Sequence, residues 1–278
     1  MKRLLVLGSS GFIGRNITPI LRERYHITAP TRAELDLLDM DAVTHYLEQG
    51  RFDVIINAAT PTGHNPLDSQ IFERSLRAFT ALAHNAGLFG KMLYIGSGAE
   101  YGKQRAIVHV KEDEFGQRLP RDDYGLSRFI MSELAERTDN IINLRVFGCY
   151  GAGDPSHKLI PHIMNCIRQE KTIQLAQNVR FSFLYVRDIA HILMLLIEGV
   201  PKFKAYNLTS GVPLLIGDIA ARVERMMGSD KPIVFRQSGM GLEYTGDNSR
   251  LCAEFPEWHP TTMDAGIHEV ISIENSRL

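Results

Sequence analysis

Leu4-Leu5-Val6-Leu7 runs directly into Gly8-Ser9-Ser10-Gly11-Phe12-Ile13-Gly14: an apolar run of strand length breaks into closely spaced glycines and then into an amphipathic segment. That order reads as strand, tight turn, helix. With no Cβ, the backbone can turn sharply at Gly8, approach a pyrophosphate at Gly11 and let the helix pack on the strand at Gly14. Backbone N–H groups along Gly8, Ser10, Gly11, Phe12, Ile13 and Gly14, with the positive end of the helix dipole, then face phosphates. The spacing is G-x-x-G-x-x-G, not G-x-G-x-x-G. Its weight comes from following a strand and opening a helix.

The rest of the chain bounds what such a turn could serve. At 278 residues it is long enough for one large domain or a nucleotide domain with a smaller lobe. The formal net charge of −1, with 31 basic and 32 acidic side chains, gives no global field to attract nucleic acid or an anionic membrane. Cys149, Cys166 and Cys252 form no C-x-x-C pair and lack a histidine at ligand spacing, so neither a disulfide frame nor a metal site is expected. A reducing, cytoplasmic setting fits. Met1-Lys2-Arg3 resembles the charged start of a signal peptide, but the apolar run after it ends at Gly8. No stretch approaches the ~20 apolar residues of a spanning helix.

Residues 12–24 place Ile13, Ile17, Ile20 and Leu21 on one helical face, and His26-Ile27-Thr28 reads as a second strand. A helix around Ala42 to Leu47, a strand Asp53–Asn57, a helix from Leu67 to Ala86 and a strand Lys91–Ile95 follow. Gly96 to Asp123 is a charged, glycine-containing loop long enough to be functional. A helix Tyr124–Arg137 and a strand Asn140–Leu144 continue the rhythm. Such alternation implies an α/β doubly wound parallel (Rossmann) sheet, with ligands at the carboxyl ends of its strands. After Gly153-Asp154-Pro155 the pieces shorten: helix 159–169, strands at 172–175 and 183–186, helix 188–198, strand Ala205–Leu208, helix 217–227, strand 233–235 and a last helix from about Met263. Residues 1–153 therefore read as a Rossmann domain to which parts of the later chain return, and 154–278 mostly as a substrate-binding α+β lobe.

Two stretches carry chemistry. Tyr124-Gly-Leu-Ser-Arg128 sets a phenol and a cation one helical turn apart, the arrangement that lowers a tyrosine pKa from about 10 toward neutrality. Gly96-Ser97-Gly98-Ala99-Glu100-Tyr101-Gly102 puts a hydroxyl at the carboxyl end of the fourth strand. The glycine turn, Ser97 and Tyr124, with Asn57-Ala58-Ala59, Arg145 to Gly151, Leu184-Tyr-Val-Arg-Asp188 and Trp258-His-Pro-Thr-Thr262, resemble the extended short-chain dehydrogenase/reductase family of nucleotide-sugar enzymes over essentially the whole chain.

That resemblance implies that Tyr124 exchanges a proton with a sugar C4 oxygen, that Ser97 hydrogen-bonds the same oxygen, and that Arg128 holds the nicotinamide ribose. The family residue at Arg128 is lysine. Arginine keeps the charge and can bridge two hydroxyls, but relays protons less readily. In 4,6-dehydratases an Asp-Glu pair follows the hydroxyl residue, where this chain has Gly98-Ala99. GDP-fucose synthases, which the chain resembles in Thr31-Arg32 and in the run Glu34 to Asp39, use cysteine at the position of Ala99 for epimerisation. Only the ketone-reducing half of that activity is implied.

Arg32 suits the 2′-phosphate of NADP, and otherwise reads as a solvated arginine with Glu34 as a ribose acid for NAD. Asp36 and Leu37 match residues that flank the adenine, and as plain sequence are equally a helix cap and a core leucine. Ala58 and Ala59 complete the implied cofactor contacts. His157-Lys158-Leu159 resembles a segment that contacts the substrate diphosphate, and Arg180 would reach a phosphate, although the family arginine falls at Phe181. His64, after the third strand, faces substrate or solvent. Cys149 reads as small and buried.

The expectation is a cytoplasmic reductase of a 4-keto nucleotide sugar using NADPH, with a 4-epimerase retaining NAD as the competing reading and a catalytically silent nucleotide-binding protein as the reading from another class. The resemblance also implies a homodimer formed through the helices at 67–86 and 124–137.

Overall fold

Alternation along the first strand decides how the layers assemble. In a computed structural model describing residues 1–59 and 70–276, β1 (Arg3–Leu7) turns Leu4 and Val6 to one side and Leu5 and Leu7 to the other. Both sides are apolar, so both must be covered by helices. On the first side α1 (Phe12–Arg22) brings Ile17 and Leu21 onto Leu4 and Val6. β2 (His26–Thr28) pairs parallel with β1, and α2 (Met40–Gly50), capped by the Asp39 carboxylate accepting from Ala42 N at 3.0 Å, covers the second side. Then come β3 (Val54–Asn57), α3 (Ile71–His84) and β4 (Lys91–Ser97). The first residues of the helix expected from Leu67 lie outside the described residues, as does His64.

The segment 96–123 is not the open loop its composition suggests. It contains a 3-10 turn at Gly98–Tyr101 and a strand, β5 (Ile107–Val110), too short for its alternation to stand out in sequence. α4 (Asp123–Glu136) starts on the Asp122 cap and leads to β6 (Ile141–Val146) and β7 (Gly148–Tyr150). The later chain gives α5 (Leu159–Arg168), β8 (Ile173–Leu175), β9 (Arg180–Phe181), β10 (Phe183–Tyr185), α6 (Val186–Glu198) and β11 (Ala205–Leu208). β12 (Leu214–Leu215), α7 (Ile216–Met226), β13 (Ile233–Phe235), β14 (Tyr244–Gly246), α8 (Ser249–Glu254) and α9 (Met263–Asn275) complete it.

The central sheet has the order β2-β1-β3-β4-β6-β11, every neighbouring pair parallel. It is an α/β doubly wound sheet, with α1 and α6 packed together on one face and α2, α3 and α4 on the other. Strand order reverses at β1, so the crevice opens between the turn after β1 and the segment after β3. β11, a strand of the later chain, lies beside β6 and closes the sheet edge. Four residues of Ala-Tyr-Asn-Leu carry no signal of which sheet they join. A smaller sheet, β12-β9-β14-β5, lies apart from it and joins the 96–123 segment to the chain near residue 244.

Behind the turn after β4 a polar cluster replaces apolar packing. The Glu100 carboxylate, fully buried, accepts from Ser97 N at 3.0 Å, Asn143 Nδ2 at 2.9 Å and Arg145 Nε at 2.8 Å. Arg145, equally buried, also donates to Ser132 Oγ of α4 at 3.0 Å and to Tyr101 Oη at 3.3 Å, and Tyr101 donates on to Asn207 of β11. Gly96 leaves the space: a Cβ there would sit 2.6 Å from the Glu100 carboxylate. Removing Glu100 leaves the buried Arg145 charge with only its longer contact to the Glu136 carboxylate, at 3.5 Å, so Glu100→Ala is expected to cost about 3–5 kcal/mol, read by urea denaturation.

Candidate active site

The first-turn N–H groups of α1 open the cleft. Its N-cap is Gly11, which offers no side chain to satisfy them, and its first turn carries no acidic residue. Gly8 sits at φ +77°, with the position of a Cβ only 2.7 Å from the Ala58 backbone, so the turn presses against the segment after β3. At Gly14 a Cβ would lie 2.1 Å from Gly8 O, so this glycine lets α1 seat on the turn and does not itself line the cleft. Backbone donors, a helix N-terminus and close approach from both sides suit a dinucleotide pyrophosphate.

The cleft, of about 780 Å³, is lined by Gly8, Ser10, Gly11, Phe12 and Ile13 on one side and by Arg32, Asp36, Leu37, Ala58 and Ala59 beyond them. Ser97, Tyr124 and Arg128 stand at its far end, and His157, Lys158 and Cys149 border it. Besides Gly14, three residues singled out from sequence do not line it. Leu159, the first residue of α5, turns into the core. Arg180 is exposed on β9, 4.0 Å from the Glu243 carboxylate, and is not among the residues that line this cleft. Glu34 is bound back to Thr31, accepting from its N–H at 2.7 Å and its hydroxyl at 2.9 Å, so its carboxylate is committed away from a ribose. Arg32 lies 3.7 Å from the Asp36 carboxylate, an exposed pair open to exchange for another anion.

Tyr124 and Arg128 project from the first turns of α4, whose start is fixed by Asp122 accepting from Gly125 N at 2.8 Å. Ser97 ends β4 and begins the 3-10 turn, its hydroxyl accepting from Ala99 N at 3.2 Å. Burial pushes the Tyr124 phenol up, but the Arg128 guanidinium, a hydrogen bond with Ser97 and the Lys103 ammonium outweigh it, and its pKa falls below the usual tyrosine value. The Arg128 guanidinium carbon lies 5.1 Å from the centre of the Tyr124 ring. Arg128 is also drawn inward, donating from Nη1 to Tyr94 Oη at 2.9 Å, deep between β4 and α4.

Sequence reasoning missed several residues here. Lys103 lines the cleft; although the residue is exposed as a whole, its ammonium lies 4.6 Å from the centre of the Tyr244 ring, where desolvation lowers its pKa against the pull of Tyr124 and Asp122. Arg15 lines it too and donates to Gly153 O at 2.5 Å. Asp154 lies with them, its carboxyl pushed up to about 7 by burial, with Lys158 and Arg15 pulling it back. Burial likewise raises the Cys149 thiol well above its usual value, which keeps it protonated and unreactive.

Residues 4–209 match the model of the NAD dependent epimerase/dehydratase family. The chain belongs to that family. Its members are NAD(P)-dependent enzymes, and this chain is one of them. It is 27% identical over 227 residues to GDP-6-deoxy-D-talose 4-dehydrogenase of Aggregatibacter actinomycetemcomitans, covering 76% of this chain and 75% of that protein. It is 26% identical to GDP-L-fucose synthase of Azorhizobium caulinodans, over 84% of this chain and 83% of the other. In three dimensions it follows GDP-mannoheptose C4 reductase from Campylobacter jejuni, solved with NADP bound, with a TM-score of 0.85 at 18% identity over 99% and 98% of the two chains. At that identity the likeness speaks for the fold.

The family's dinucleotide cleft makes the Asp154 carboxyl consequential. Below about pH 7 it is neutral, and above it adds a negative charge beside Arg15 and Lys158. An anionic nucleotide is therefore expected to bind more weakly as pH rises from about 6 to 8, by roughly tenfold for one unit of linked pKa shift. In Asp154→Asn that slope should vanish, which titration calorimetry with NADPH and with nucleoside diphosphates across this range will show.

Proposed function

We propose that the chain reduces the 4-keto group of a nucleotide-linked deoxysugar with NADPH. The observation that carries this reading is the Tyr124 phenol, lowered in pKa, joined to Ser97 and set beside Arg128 at the end of a dinucleotide-shaped cleft. NADPH, when bound, supplies the hydride for C4. Tyr124 gives its proton to the ketone oxygen and regains it from solvent, Ser97 donates to the same oxygen, and Arg128 holds the ribose and lowers the phenol pKa. Arginine in place of lysine is accommodated because Tyr94 accepts from one side of the guanidinium, leaving the charge beside Tyr124.

The turn after Ser97 supports reduction over elimination. A Cβ at Gly98 would come 2.6 Å from Tyr244 Oη and 2.9 Å from the Phe147 ring, so an acidic side chain has no room there. Ala99 is fully buried and offers no group for acid–base work at C3 or C5. His157 and Lys158 would take the substrate diphosphate, with residues 154–278 supplying most of the sugar lobe. Relatives named for GDP-linked sugars make those the first substrates to test. A homodimer through α3 and α4 and a cytoplasmic setting belong to the same proposal. Among the described residues no helix is long and apolar enough to cross a membrane.

Incubation of GDP-linked 4-keto-6-deoxy sugars with NADPH is expected to oxidise the cofactor and yield the 4-hydroxy sugar nucleotide. Tyr124→Phe should lower kcat by about 10²–10⁴-fold with NADPH affinity retained. Interconversion of C4 epimers on a tightly retained NAD, with no net NADPH consumption, would overturn the reading in favour of an epimerase.

Cofactor choice rests on Arg32, with Glu34 withdrawn to Thr31. Arg32→Ala is expected to weaken NADPH by about tenfold, the worth of one charge-assisted contact, and to leave NADH unchanged. Equal losses for both cofactors, measured by nicotinamide fluorescence, would remove the 2′-phosphate role.

A further inference from the structure

Tyr244, on β14, is 5% exposed, and its ring is packed between Phe147, at 5.1 Å between ring centres, and Phe181, at 4.8 Å. Packing alone asks for phenylalanine there. The hydroxyl is sealed from solvent, with no donor or acceptor among the described residues in hydrogen-bond geometry, a costly state for a buried polar group. It nevertheless ends against the catalytic turn. The Gly98 Cα has its open side toward it, and the Ser97 hydroxyl is near enough to ease the phenol's ionisation even as burial drives it well above the usual value. The Lys103 ammonium over the ring draws electron density from it, which makes the O–H a stronger donor.

A serine hydroxyl has one proton to give and two lone pairs to fill. On Ser97, Ala99 N fills one lone pair at 3.2 Å. We propose that Tyr244 is a positioning residue for Ser97: its O–H fills the second lone pair and commits the single Ser97 proton to the oxygen shared by Tyr124 and the substrate. The proposal rests on the reductase reading for its kinetic consequence, but not for the hydrogen bond. With both lone pairs occupied, the serine proton has one direction left, into the cleft. Two phenols then serve the same serine from opposite sides, Tyr124 facing the substrate and Tyr244 standing behind.

A double-mutant cycle of Tyr244→Phe with Ser97→Ala tests this, since phenylalanine keeps the ring contacts. The first readout needs no turnover. The ultraviolet tyrosinate signal of Tyr124, isolated by difference from Tyr124→Phe, is expected to move to higher pH in Tyr244→Phe by roughly half a pH unit, about a threefold change in the ionisation equilibrium. In the Ser97→Ala background Tyr244→Phe should leave it unmoved. The second readout is kinetic: kcat for ketone reduction is expected to fall about fivefold to tenfold in Tyr244→Phe with both KM values unchanged, and not to fall further in Ser97→Ala. Equal effects in both backgrounds, or no shift of the Tyr124 signal, overturn the proposal. Absence of turnover in the unmutated protein would sink the reductase reading, and the titration would still decide the role of Tyr244. Should Tyr244→Phe fail to fold, a crystal structure of the unmutated protein with NADP decides: Tyr244 Oη within about 3.0 Å of Ser97 Oγ supports it, and a separation beyond about 3.5 Å overturns it.

Discussion

The ion pair between Glu100 and Arg145 is the constraint on which the arrangement of Ser97, Tyr124 and Arg128 depends. Neither side chain is exposed, and the pair is held at 2.8 Å. Burying two charges carries a desolvation cost of several kcal/mol per ion, which contact between them does not offset alone. The cost is met by further partners: Glu100 accepts from three donors, and Arg145 also donates to Ser132, Tyr101 and, at 3.5 Å, Glu136, while its face lies 4.3 Å from the Phe115 ring. The outcome is geometric. Ser97 belongs to β4, Tyr124 and Arg128 to α4, and the two elements are joined through Ser132, Asn143 and the Glu100–Arg145 pair. An apolar core of the same volume would bind the elements as tightly but would tolerate sliding, because burial has no direction. Hydrogen-bonded charges have direction, and the distance between a serine and a tyrosine requires it.

The same economy appears one layer closer to the cleft. A guanidinium near a phenol lowers its pKa whether or not it is well placed, but a long arginine in an apolar niche would waver between acceptors. Tyr94 fixes one end of it. Burial holds the Tyr94 phenol well above its usual value, with Arg128 pulling the other way, so Tyr94 stays neutral and accepts without competing for the proton. Desolvation works in opposite senses on the two tyrosines that Arg128 touches: it wins at Tyr94 and loses at Tyr124, where Ser97 and Lys103 add to the cation. Placing the ionisable tyrosine where three favourable partners meet, and the inert one where burial dominates, separates two chemically identical side chains.

What the sequence made legible follows from which contacts are local. The glycine turn, the Ser97 turn and the Tyr124-to-Arg128 pair are each written within seven residues, so spacing alone places them at a strand end or on a helix face. The parallel sheet is legible for the same reason, since each strand-helix unit is contiguous. Glu100 stood in view beside Ser97 but is silent without Arg145, 45 residues on. Lys103 and Tyr244 gain meaning only through β5 and β14, short strands whose pairing no period announces. Arg180 illustrates the converse: a basic residue one position from the expected one sits on a two-residue strand of the smaller sheet and does not line the cleft.

Along the cleft, cations and carboxylates are likewise set against one another. The cleft carries Arg32 at one end and Arg15, Lys103 and Lys158 toward the other, cations that attract any phosphate and discriminate poorly among them. Discrimination comes from the acids set against them. Asp36 holds Arg32 at 3.7 Å in an exposed pair, a contact weak enough to be exchanged for another anion. Asp154 sits among the cations with its carboxyl near neutrality in pKa, so its charge varies with pH while theirs does not. A cleft of basic residues alone would bind phosphates indiscriminately and release product slowly. Each cluster is paired with one carboxylate, exposed beside Arg32 and half-buried beside Arg15 and Lys158.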